Sequence, residues 1–74
     1  MKQFYFRLNI SYQSFEQIYR VPNTTIRVRE ESGKMLQIPA GRFLPFFSQL
    51  GIRGRFEITL DKANKIVELM QIGQ

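Results

Sequence analysis

Seventy-four residues with no Cys and no His make one domain, 1–74, that has neither disulfides nor a Cys/His zinc cage. A chain this short buries only about 60% of its unfolded surface, so stability must come from packing, for which seven Phe and three Tyr are the supply, or from oligomerisation. The net charge of +5, from eleven basic and six acidic residues, favours polyanions and acidic surfaces as partners.

No apolar run approaches the roughly 18 residues of a membrane span. "MKQFYFRLNIS" lacks the continuous apolar core and cleavage site of a signal peptide. A cytoplasmic location without a membrane partner is therefore expected. The same segment reads as a strand, because Phe4, Phe6, Leu8 and Ile10 alternate with Tyr5, Arg7 and Asn9. Ser11 then suits the cap of a helix running to about Arg20, with Tyr12, Phe15, Ile18 and Tyr19 on one side. Arg20 fits the negative helix end, and Pro22 prevents continuation.

"TTIRVRE" is the next strand, with Ile26 and Val28 on one face and Thr25, Arg27 and Arg29 on the other. The turn "ESGK" leads back into "MLQIP", a hairpin with Gly33 supplying the positive φ. Pro45 fits only a first helical turn, which predicts a short helix from about Arg42 to Leu50, stopped by Gly51. An irregular loop with one helical turn is the alternative. Residues 53–60 form a strand with Phe56, Ile58 and Leu60 inward and Arg53, Arg55, Glu57 and Thr59 outward. "DKAN" suits a type I turn, with Asp61 first and Asn64 tolerating the left-handed region. "KIVELMQI" is a strand without clean alternation, consistent with a bulge or with burial on both faces. The order β-α-β-β-α-β-β implies a single α+β domain, with a mainly antiparallel sheet and its helices on one face.

Catalysis is not expected. Triads built on Ser-His or Cys-His lack their His and Cys. Asp61 lies in a turn, and Glu30 and Glu31 sit at the hairpin tip, where solvation should leave both carboxyls ordinary. No Walker A loop or strand–GxGxxG–helix unit occurs, and no cofactor or metal is implied. The R-x-x-x-R pair of cyclic-dinucleotide-binding PilZ domains is absent, because no two arginines are spaced by four.

What remains is the outward sheet face. With both helices on one side, Tyr5, Arg7, Arg27, Arg29, Arg53 and Arg55 should project from the other, as a surface for an anion or a single-stranded nucleic acid. "GIRGRFEITL" fits the RNP1 pattern only at Arg53-Gly54; Arg55 then stands where an aromatic is needed and Glu57 where Phe is needed. A wet outer face with cross-strand carboxylates such as Glu57 or Glu30 explains most of these arginines structurally, leaving Arg53 and Arg55 without a structural role. Adjacent Phe46 and Phe47 cannot easily both face inward from one short helix, so a spare ring is a candidate interface with a protein partner or a second copy.

Several of these residues carry a family likeness. Phe6, Leu8 and Ile10 precede Ser11-Tyr12, and Ile38-Pro39-Ala40 leads to Pro45-Phe46. Gly51-Ile52-Arg53-Gly54-Arg55-Phe56 is followed by Leu60-Asp61 and Asn64-Lys65. In these features the chain resembles a family of short proteobacterial proteins defined only as a domain of unknown function (number 2835 in that series). The resemblance implies a bacterial, free-standing domain and transfers no activity, ligand or site residue. The expectation is a small non-catalytic interaction module acting through protein contacts or self-association. Nucleic-acid or anionic-ligand binding is the alternative.

Overall fold

The two-residue period of the N-terminal segment becomes strand β1, Lys2–Ile10, in a computed structural model that describes all 74 residues. Helix α1 follows at Tyr12–Arg20, its first turn closed by a hydrogen bond from the Ser14 amide to the Ser11 hydroxyl at 3.2 Å. Arg20 in the last turn pairs with Glu16 at 3.5 Å. Strands β2, Thr25–Arg29, and β3, Met35–Pro39, form the hairpin. A 3-10 helix spans Ala40–Phe46, and β4, Ile52–Leu60, and β5, Ile66–Gly73, complete the chain. The fold is α+β with antiparallel sheets, in the expected element order. No helix is long and apolar enough to cross a membrane.

The strands divide into two sheets, one ordered β1-β4-β5 and one holding β2 and β3 alone. Pairing of Phe4 with Ile58, Phe6 with Phe56 and Ile10 with Ile52 fixes the apolar inner face of the larger sheet. The hairpin contributes Ile26, Val28 and Ile38 to the same core, joined by Phe15 from α1 and Phe43 from the 3-10 helix. Phe6 stacks on Phe56 at 5.6 Å, and Phe43 meets both edge-on, at 6.3 Å and 5.7 Å. Full burial of one such ring is worth about 1.5–3 kcal/mol. This aromatic knot therefore does for the domain what disulfides do for other small folds.

The segment after β3 departs from expectation. It winds as a 3-10 helix over 40–46 and not as a helix over 42–50, so Leu50 lies outside it and is two-thirds exposed, at 67%. Pro45 sits late in this helix rather than in its first turn. The tighter helix ends at Phe47, whose amide bonds to the Leu44 carbonyl. Gly51, at φ +88°, closes a turn with Ser48 immediately before β4 and does not cap the helix directly. The Asp61 turn forms as expected, its carboxylate accepting from the Ala63 and Lys65 amides while Asn64 takes φ +63°. The missing alternation of β5 has its cause in two register shifts against β4, which leave Val67 and Ile72 as extra, bulged residues.

Candidate binding surfaces

The outer face of the larger sheet gathers four of the six candidate residues. Register sets Tyr5 opposite Glu57, Arg7 opposite Arg55 and Asn9 opposite Arg53. Arg27 and Arg29 are not among them. They lie opposite Gln37 and Met35 on the exposed face of the hairpin, a separate sheet. The single arginine face expected from the sequence is thus two faces. The physical reason is that the hairpin turns its own apolar side to the core and forms a second layer instead of extending the first.

Arg55 has a structural partner after all. Its guanidinium grips the Glu31 carboxylate with two hydrogen bonds, 2.8 Å from Nε and 2.7 Å from Nη2. The same guanidinium lies 5.1 Å over the Tyr5 ring, and the Tyr5 hydroxyl donates to Glu57 at 2.9 Å. The Glu31 amide also donates to the Tyr5 carbonyl at 2.7 Å, so backbone and side chain together fasten the hairpin turn to the edge of β1. The pairing with Arg55 holds the Glu31 carboxyl below its ordinary range and raises Arg55 in return. Donation to Glu57, and its negative charge, raise Tyr5.

Nor is Glu30 a solvated tip residue; only 3% of it is exposed. Its carboxylate accepts from the Ser32 hydroxyl and amide and from the Lys34 amide, and the Ser32 hydroxyl above all lowers its pKa. Two adjacent glutamates expected to be ordinary are therefore both committed to holding the hairpin. The spacing Glu30-x-Ser32, a carboxylate two residues before a free amide, is the sequence signal that could have shown this.

Arg7 and Arg53 remain uncommitted. Arg7 reaches only the Gln74 carbonyl, at 3.2 Å, and Arg53 makes neither an ion pair nor a side-chain hydrogen bond. They line a cleft of about 620 Å³ beside Phe46 and Leu50, and no Asp or Glu side chain lines it. Gly54 opens one wall. It holds φ +143°, and the Gln71 amide occupies the space a side chain would need, donating to the Arg53 and Gly73 carbonyls at 2.9 and 3.1 Å. Of the eleven basic side chains only Arg20 and Arg55 are in ion pairs.

Neither Phe46 nor Phe47 is a spare ring. Phe46 packs on Phe56 at 5.4 Å, and Phe47 lies between Tyr12 at 4.8 Å and Phe15 at 4.7 Å. Both rings are half-buried, and the 3-10 winding and the extended backbone at Phe47 set them against different neighbours at the margin of the core. Exposed apolar side chains are scattered over the surface, Leu50 and Val21 among them, but three share one strand: on β5, the outer strand of the larger sheet, Val67, Met70 and Ile72 are 50%, 39% and 41% exposed. From Ile66 to Gly73 this strand carries no Lys or Arg, a signal present in the sequence but unread there.

A family model described as "Protein of unknown function (DUF2835)" matches residues 2–72. No curated protein and no solved structure matches the chain.

Proposed function

The chain belongs to the family of that description, and we propose, from its surface alone, that it is a small non-catalytic interaction module whose first partner is a second copy of itself. The observation that carries this reading is the open edge of β5, an eight-residue strand with exposed Val67, Met70 and Ile72 and no basic residue to repel a neighbour. Unpaired strand edges are templates for another strand, and proteins that avoid such pairing place Lys, Pro or β-bulges there; β5 has bulges, but only toward its two ends. The bulges at Val67 and Ile72 bend the strand's two ends and leave Glu68–Gln71 as the regular stretch for antiparallel pairing. A cytoplasmic location belongs to the same proposal.

Light scattering over a concentration series tests it. The parent chain should show a mass rising toward that of a dimer, and Met70→Lys with Ile72→Lys should hold it at one chain without lowering its melting temperature. A strict monomer at every concentration overturns the self-association reading.

The unpaired guanidinium of Arg53, and that of Arg7, which meets no acidic side chain, favour a second reading, an anionic ligand such as single-stranded nucleic acid in their cleft. Titration of a fluorescent oligonucleotide tests this one. Binding should fall steeply with salt through counterion release, and Arg7→Ala with Arg53→Ala should remove it. Absence of binding at low salt overturns it.

A further inference from the structure

The hairpin has an open edge of its own, and its backbone can be assigned residue by residue. The Glu30 amide donates to the Lys34 carbonyl and the Ala40 amide to the Thr24 carbonyl, both at 2.9 Å. Antiparallel hydrogen-bonded pairs recur every second residue. In the observed register Leu36 and Ile38 therefore bond to β2, while Met35 and Gln37 turn their N–H and C=O groups away from it. Those four groups have no partner in the chain. Pro39, with no N–H, ends the edge.

Alongside this edge runs a groove of about 340 Å³ between β3 and the near end of the larger sheet. Its floor is apolar, made by Phe4, Leu36, Ile38, Ile58, Leu60 and Ile66. Its only charged lining residues are Lys2 and Lys34, with no carboxylate among them. Lys34 lies 5.4 Å over the Phe4 ring, and Lys2 donates to the Asn64 side chain at 2.9 Å. On the other side of the hairpin Arg27 and Arg29 stand exposed, cross-strand from Gln37 and Met35.

We propose that this edge and groove bind an extended peptide segment of alternating apolar and acidic residues, added as a third strand beside β3. Main-chain bonds would go to Met35 and Gln37. The period of two then sends one set of side chains down onto the groove floor and the other onto the outer face. On that outer face the added strand lies two strand spacings, about 9.6 Å, from β2. A glutamate there is within reach of Arg27 and Arg29, because both partners have long side chains. Charge complementarity and the four unmatched backbone groups select this occupant over a compact ligand, which would leave the backbone groups unpaired.

The inference rests on the interaction-module reading but uses a different edge from the one proposed for self-association. The test is a titration of the full chain with a capped hexapeptide of alternating valine and glutamate, followed by amide NMR. The amides of residues 35–38 and Ile66 should shift. The Arg27→Glu, Arg29→Glu variant should bind about tenfold more weakly. A peptide N-methylated on every second residue, along its pairing edge, should not bind, and neither should a valine–lysine peptide. Absence of shifts, shifts confined to β5 or to the Arg7–Arg53 cleft, or indifference to N-methylation each overturn the proposal. Self-association through β5, read by light scattering, would survive any of these outcomes, so the two failures are distinguishable.

Discussion

Gly51→Ala is expected to cost far more than an ordinary surface substitution. A Cβ at Gly51 would run into the Ile10 carbonyl and come within 2.7 Å of the Ser11 carbonyl carbon and 2.8 Å of the Tyr12 amide nitrogen. All three are backbone atoms at the junction of β1 and α1, so no rotamer change can relieve the collision. The backbone at φ +88° adds a cost of its own, about 1–2 kcal/mol for a residue with a side chain. Together with displacement of the junction, a loss of about 3 kcal/mol or more is expected, within the range of the larger single-substitution effects. For a domain this small the whole stability is about 4–11 kcal/mol at 0.05–0.15 kcal/mol per residue. A melting temperature lower by about 12–24 °C follows, at 4–8 °C per kcal/mol. Gly33→Ala separates the two causes. Gly33 has φ +106°, but a Cβ there would meet nothing within 4 Å, so this variant should show the strain alone. Gly41→Ala, with open space and no positive φ, should be near neutral. Thermal melts of the three variants by circular dichroism read the order directly. If Gly51→Ala and Gly33→Ala melt together, the close approach of the β4 entry to the β1–α1 junction is refuted.

Two further outcomes follow from the packing and the ion pair. Glu30 and Glu31 have lowered carboxyl pKa values in the fold, so their contribution to stability is present above the ordinary carboxylate range and lost as pH falls through the lowered values. Acid titration of the melting temperature should show that loss, and Glu31→Gln should make it shallower; an unchanged profile would mean the Arg55 pair contributes nothing. Phe43→Ala removes the ring that meets both Phe6 and Phe56 edge-on, at about 3–5 kcal/mol. Near-UV circular dichroism should find that variant largely without fixed tertiary structure, and a native spectrum would show the knot to be dispensable.

The local elements were legible because each has a short-range physical cause. Ser11 caps, Gly33 and Asn64 turn, and alternation in β1, β2 and β4 sets the apolar faces. What the sequence left hidden depends on contacts between distant residues. Arg55 looked free because its partner Glu31 lies 24 residues away. The arginines of β2 looked coplanar with those of β4 because period-two patterning reports which face a residue takes, but not which sheet it belongs to. The second helix, expected over Arg42–Leu50 from the fit of Pro45 to a first helical turn, winds instead as a 3-10 helix over Ala40–Phe46 with Pro45 near its end, and Phe43 sits in the core with Phe46 and Phe47 packed against it. The edge of β5 went unread for a related reason. Its bulges destroy the alternation by which a strand's inner and outer faces are recognised.

The glycines of "GIRG" illustrate the division. Gly51 is required by a backbone junction and Gly54 by the Gln71 amide, while Ile52 and Phe56 are fully buried and Arg55 is paired. Arg53 alone in that stretch keeps a free side chain, which is why the anionic-ligand reading now rests on it and Arg7.

The central claim, that open strand edges are what this domain binds with, is tested most directly by amide NMR spectra of the chain across a dilution series, with a single-stranded oligonucleotide added to the most dilute sample. Dilution is expected to shift the amides of Glu68–Gln71. Spectra identical at every concentration, with the oligonucleotide alone moving Arg7 and Arg53, would contradict the claim.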